Sequence, residues 1–212
     1  QAQLRKLLTL LPDGVVLEYA GAIEWVKGEE SLAVWAGPSM NIFNREAEKE
    51  IENLGFSGCF LSQELTIPQI RYIAKGSDIP LGAYVYGRTE MMISEYCAIN
   101  AVMGDKDKKH CPMYCMRGRF ALKDGEGRRF PIHTDEWCHM HIANCHVLDM
   151  RPYFDELKKA GLSALTLDVR GNEGSILSLC KDACDILSGR KEAPGAGRGD
   201  DVTRGHFFRG VL

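Results

Sequence analysis

A chain of 212 residues with a formal net charge of −3 is long enough to bury one sizeable core. Its mild acidity excludes a global electrostatic pull toward nucleic acid or an anionic membrane and leaves room only for local basic patches. No apolar run approaches the roughly 20 residues of a spanning helix and no secretory signal is visible, so no membrane association is expected and the chain is placed in the cytoplasm. It opens on Gln1 rather than Met, so an earlier segment is expected.

In chain order, residues 1–11 read as the end of a helix. GVVLEY (14–19) and SLAVWA (31–36) are short apolar strands. Asn44 is a good N-cap for a helix over REAEKEIENL that Gly55 stops. SGCFLS (57–62) is a third strand. Thr66 and Gln69 have capping-box spacing, and the helix they open ends at Gly76. LGAYVYG (81–87) is the fourth strand. Asp149 opens a helix over 150–160 that Gly161 stops, LTLDVRG (165–171) is a fifth strand, and ILSLCKDACDIL (176–187) is a closing helix. Strand–helix alternation of this kind implies a parallel sheet with crossover helices. Five strands fall short of the eight of a closed barrel. The expected fold is therefore α/β, over residues 1–189: the C-terminal part of a (β/α) barrel, a partial TIM-like barrel, or an open sheet. The missing strands would come from the same polypeptide or from a partner chain. Residues 190–212, rich in Gly and Arg, read as an extended arm.

Residues 97–146 break the alternation. They hold five of the eight cysteines and five of the six histidines. Within them RFALK and RRFPI flank Asp124-Gly125-Glu126-Gly127, a turn signal, so a cysteine-rich β-hairpin insertion is expected. The spacing is Cys97-x13-Cys111-x3-Cys115-x22-Cys138. Eight cysteines in a chain this long and this rich in alternation favour a reducing compartment with metal or cluster ligands among them over a disulfide framework. Four soft thiolates suit an iron–sulfur cluster or zinc. One close pair with two single cysteines is unlike the two short pairs of a zinc ribbon, which favours a [4Fe–4S] cluster. His110, His133, His139 and His141 keep a mixed Cys/His zinc site open, and structural thiols are the third reading. Cys59 reads as core. Cys180 and Cys184 share a helix face and are expected to pack there.

Chemistry in such a fold sits at the C-terminal ends of strands. Those positions hold Glu18 and Tyr19, then Asn41 and Asn44. Ser62 and Glu64 follow the third strand, Arg88, Glu95 and Cys97 the fourth, and Asp168 and Arg170 the fifth. We take Glu64, Glu95 and Asp168 as candidate catalytic carboxylates. Arg88, Arg170, Arg204 and Arg209, with His206 between the last two, are candidate substrate-binding groups, because guanidinium recognises carboxylate or phosphate.

YGRTEMMISEYC (86–97), LSQEL (61–65), the Cys111/Cys115 pair, LKDGEGRRFP (122–131), CHMHIANC (138–145) and TRGHFFRGV (203–211) together resemble the U-thirty-two, collagenase-like peptidase family from about Gly14 onward. The resemblance implies a TIM-like barrel and a [4Fe–4S] cluster, with Cys97, Cys111, Cys115 and Cys138 at the ligand positions. Cys145 stands where the family usually has a small polar residue and is not expected to be a ligand. His139 stands where Arg is common. Two activities attach to the family. The older is protease or collagenase. The newer is oxygen-independent hydroxylation, of pyrimidines in tRNA or ribosomal RNA with prephenate as the oxygen source, or of a quinone precursor.

The stretch contains neither HExxH nor GxSxG, and its candidate thiols are assigned as ligands. It therefore favours a cluster-dependent RNA hydroxylase over a hydrolase. A non-catalytic iron–sulfur or zinc scaffold is the remaining alternative.

Overall fold

The computed structural model describes residues 2–29, 31–104, 111–170, 174–195 and 201–209. Its elements run α1 (Ala2–Leu8), β1 (Gly14–Leu17), β2 (Ala33–Ala36), α2 (Arg45–Asn53), β3 (Gly58–Phe60), α3 (Ile67–Ala74), β4 (Leu81–Gly87), β5 (Glu90–Ser94), α4 (Ala98–Met103), β6 (Phe120–Lys123), β7 (Arg129–Thr134), β8 (Met140–Ala143), β9 (Val147–Asp149), α5 (Phe154–Lys159), β10 (Leu162–Leu167), α6 (Ile176–Leu187) and β11 (Val202–Thr203). The chain divides into two compact units: residues 1–86, 149–197 and 204–212, and residues 87–148 with 198–203.

In the first unit β1, β2, β3 and β4 pair in that order, all parallel. β10 pairs parallel with β4, Leu165 opposite Ala83. Strands covered on both faces read as continuous apolar runs, and in β4 Leu81, Ala83 and Val85 are buried. The helices bury apolar stripes: Ile67, Ile70 and Ile73 of α3, Phe154 and Leu157 of α5, and Leu179, Ala183 and Ile186 of α6. Each of these Ile, Leu and Phe side chains contributes about 1.5–3 kcal/mol. The expected α/β class is present as a parallel-rich sheet; among the described residues its strands do not close into a barrel, as expected of either form, part of a TIM-like barrel or an open sheet. Local sequence does not specify the shear that a closed barrel needs.

The caps appear as read. Asn44 accepts the Ala47 N–H at 2.8 Å, and Thr66 with Gln69 forms a full capping box. Three boundaries move. β10 begins directly after Gly161 and stops at Leu167, because the Asp168 carboxylate takes the Arg170 N–H and turns the chain. α5 starts only at Phe154, after a 3₁₀ turn with Pro152. Cys180 and Cys184 do share a face of α6, but it is the solvent face, so their expected packing is overturned.

The second unit is a four-stranded antiparallel sheet in the order β5-β8-β7-β6. β6 and β7 pair Phe120 with Ile132 and Lys123 with Arg129. The turn between them is built on Asp124, which accepts N–H groups of Glu126 (3.0 Å) and Arg128 (2.9 Å). Hydrogen bonding to Arg128 outweighs partial desolvation and lowers the Asp124 carboxyl. The hairpin expected around Asp124–Gly127 is thus present as β6 and β7; no strand of this sheet carries a cysteine, so the hairpin itself is not cysteine-rich and the thiols lie outside its strands. β9 and β11 pair parallel, Val202 opposite Val147.

Candidate metal centre

The register decides where the cysteines go. Ser94 at the end of β5 lies opposite Met140 at the start of β8, and Met140 lies opposite Thr134 at the end of β7. β6 begins at Phe120 opposite Ile132. One end of the sheet therefore collects what leaves β5 and β7 and what enters β8 and β6. Cys97 follows β5 by three residues, Cys138 precedes β8 by two and Cys115 precedes β6 by five. Cys97 caps α4, its Sγ accepting the Asn100 N–H at 3.4 Å. α4 packs against the 3₁₀ turn Tyr114–Arg117 that carries Cys115. The Cys111 Sγ accepts the Met113 N–H at 3.4 Å, and Cys138 has φ 65° in the tight turn before β8. All four are free thiols, three of them half-buried and Cys138 exposed. Backbone N–H groups directed at sulfur stabilise thiolate and tune a cluster; the sulfurs of Cys97 and Cys111 each accept one, and four free thiolates are the donor chemistry that such a group takes.

Beside it lies a carboxylate–imidazole knot. Asp135 accepts the backbone N–H groups of Trp137 (3.0 Å) and His139 (2.8 Å) and meets the His139 Nδ1 at 2.8 Å and the His141 Nε2 at 3.5 Å. Desolvation raises its carboxyl, but the hydrogen bonds from His139, His141 and Trp137 outweigh that and bring it to about 2. His141 turns its Nδ1 to Glu90 at 2.5 Å. Desolvation lowers this imidazole, and Glu90 with Asp135 raises it by more. Among the described residues, Glu90, His133 and His141 bring their ligand atoms within 4.8 Å of one another. Neither Glu90 nor Asp135 was singled out from sequence. β8 carries an apolar–polar alternation, Met140-His141-Ile142, but β5 does not, so the sequence alone does not put Glu90 on one face with the two histidines. His110 lies outside the described residues.

The other candidates fall in both units. At the strand ends of the first unit, Asp168 holds Arg170 in a two-pronged pair of 2.9 and 2.7 Å. Burial, then Glu18 and Asp168, raises the Tyr84 hydroxyl, so these groups share one electrostatic neighbourhood. Glu64 is exposed, its N–H on the hydroxyl of buried Ser62 at 3.4 Å. Arg204 lies over the Phe208 ring at 5.1 Å and donates to the Tyr153 hydroxyl at 3.3 Å. The adjoining Phe207 is buried, and its carbonyl accepts the N–H of Ile67 in α3 at 2.8 Å. His206 is half-buried and Arg209 exposed. In the second unit, Glu95 is exposed beyond β5. Arg88 donates to the carbonyls of Asn144 (3.0 Å) and Cys145 (2.5 Å), and so braces the loop after β8.

A mixed α/β protein with a parallel-rich sheet, and a second unit that carries a Glu/His/His group able to hold a metal, is the class these features define. The chain belongs to peptidase family U32, whose profile matches residues 1–183. No curated protein matches it. A solved structure, the Bacillus megaterium QM B1551 spore cortex-lytic enzyme SleL, aligns over 73% of this chain at 13% identity and a TM-score of 0.28. The chain spans 45% of that structure's length, and at that TM-score the likeness carries no argument.

Proposed function

We propose that this protein is an iron–sulfur enzyme of its family that hydroxylates pyrimidines of tRNA or ribosomal RNA without molecular oxygen. What supports the reading is family membership together with the spacing of Cys97, Cys111, Cys115 and Cys138, all free thiols in the segments that flank the strands of the antiparallel sheet. These four would hold a [4Fe–4S] cluster, and such a cluster supplies electron transfer. Zinc is the alternative occupant. The chain's own residues would bind and orient the substrate. Arg170 and Arg204 present guanidinium groups at a solvent-exposed surface, as a phosphate- or carboxylate-bearing substrate requires, with His206 and Arg209 flanking Arg204. Asp168 and the exposed Glu64 and Glu95 are the carboxylates available to move protons. With a net charge of −3, any RNA contact must be a local patch whose affinity falls with salt. We place the protein in the cytoplasm, its remaining barrel strands supplied by the same polypeptide or a partner chain. No helix among the described residues is long and apolar enough to cross a membrane.

The peptidase reading rests on the family's name and makes the protein a hydrolase. Its difficulty is the nucleophile, since the half-buried thiols near histidines are the ones the cluster would engage. The complete protein should restore the missing RNA modification to cells lacking it, and Cys111→Ala should not. Purified free of contaminating proteases, it should leave casein and gelatin intact. Cleavage of gelatin by a cluster-free Cys111→Ala variant would overturn the hydroxylase reading in favour of the peptidase.

A further inference from the structure

We propose that Glu90, His133 and His141 form a binding site for a divalent transition ion of the zinc class, separate from the four cysteines. The face is set by strand alternation. His133 on β7 lies directly opposite His141 on β8, and Glu90 on β5 lies opposite Ala143, two residues from His141. Residues two apart on a strand share a face, and diagonal neighbours on that face reach one another. All three side chains therefore leave the same face of the sheet.

The geometry bears this out. The three ligand atoms lie within 4.8 Å of one another, and no cysteine belongs to the group. The His133 and His141 rings stack at a centroid distance of 4.7 Å and 11° between planes. Two imidazoles and one carboxylate are a borderline donor set that zinc takes, and three protein ligands leave a fourth tetrahedral position for water. The His141 side chain is 17% exposed, so its ring is held rather than free to rotate.

The surroundings are those of a ligating histidine. His141 presents Nδ1 to Glu90 and Nε2 to Asp135. A carboxylate on the far nitrogen fixes ring orientation and raises ligand basicity. Asp135 is itself fixed by two backbone N–H groups and by His139. An ion between the His141 Nδ1 and Glu90 replaces the proton they share. The site stands whether or not the cysteines carry a cluster.

The test uses the full chain with its cysteines as isolated, dialysed against Zn²⁺ alone and then against Co²⁺. One zinc should bind beyond whatever the cysteines hold. His141→Ala and His133→Ala should weaken it about tenfold or more, and Asp135→Asn by about 10–100-fold, as loss of a supporting carboxylate does. The fourfold Cys97/Cys111/Cys115/Cys138→Ser variant should still bind it. If the histidine variants fail to fold, Glu90→Gln at the exposed edge strand decides. Its Co²⁺ form should lose the weak bands of nitrogen and oxygen ligands while any thiolate charge-transfer band stays. Zinc binding that is unchanged in His133→Ala, His141→Ala or Glu90→Gln, or that disappears only with the cysteines, overturns the proposal.

Discussion

At the scale of single residues, one residue type, cysteine, carries opposite chemistries. Burial, with Glu48 nearby, pushes the Cys59 thiol up to about 12, so it stays protonated at neutral pH and cannot react as thiolate. Cys180 and Cys184 are exposed on α6. Alkylation of native protein followed by peptide mapping should label these two and leave Cys59 unlabelled until denaturant is added. Labelling of all three at one rate would contradict the packing of β3. Glu48 is wholly buried on α2, and Ser77 donates to its Oε1 at 2.6 Å. Ser77→Ala strands that carboxylate, with an expected loss of about 1–3 kcal/mol in denaturant unfolding. A neutral result would mean another donor reaches the group.

At the scale of elements, the sequence was legible where local chemistry marks an end. Asn44, the Thr66/Gln69 box and the glycines at 55 and 161 each place a boundary that the structure keeps. Thr66→Ala should cost about 0.5–2 kcal/mol, the usual loss on removing such a cap. Gly161→Ala should cost more. The position has φ +103°, and an added Cβ would meet the Ala74 Cβ at 2.5 Å; thermal melting of the two variants ranks them. The Asp124 turn carries a pH dependence. Its carboxyl is lowered in the folded state, so the turn gains stability above the ordinary carboxylate value of about 3.9 and loses it as pH falls through the lowered one. Amide exchange at Gly127, which donates to the Asp124 carbonyl, should speed up in acid; exchange flat across that range would count against it. What was not legible is equally specific. β5 and β8 are five and four residues long, and EMMIS shows no alternation: its register shifts between Glu90 and Met92, and its apolar side chains Met91, Met92 and Ile93 are all exposed. β9 and β11 are shorter still and are set by pairing between distant segments.

At the scale of the molecule, the cysteine spacing is legible in the sequence, whereas the register of the strands around it depends on β5 and β8, which local pattern does not mark. The Glu/His/His group was hidden for the same reason. The α/β class and the parallel sheet were legible from strand–helix alternation, whereas alternation alone leaves open whether such strands belong to a barrel or to an open sheet. Family membership covers residues 1–183, and the proposed chemistry rests on what the four thiols hold. The most direct measurement is iron and acid-labile sulfide, counted with the electronic spectrum, on anaerobically purified protein and its single Cys→Ser variants. The account predicts about four iron and four sulfide per chain, as a cubane requires, reduced or lost in the variants at Cys97, Cys111, Cys115 and Cys138 and retained in Cys145→Ser. One zinc and no sulfide in the parent protein, or a cluster that survives all four substitutions, would contradict it.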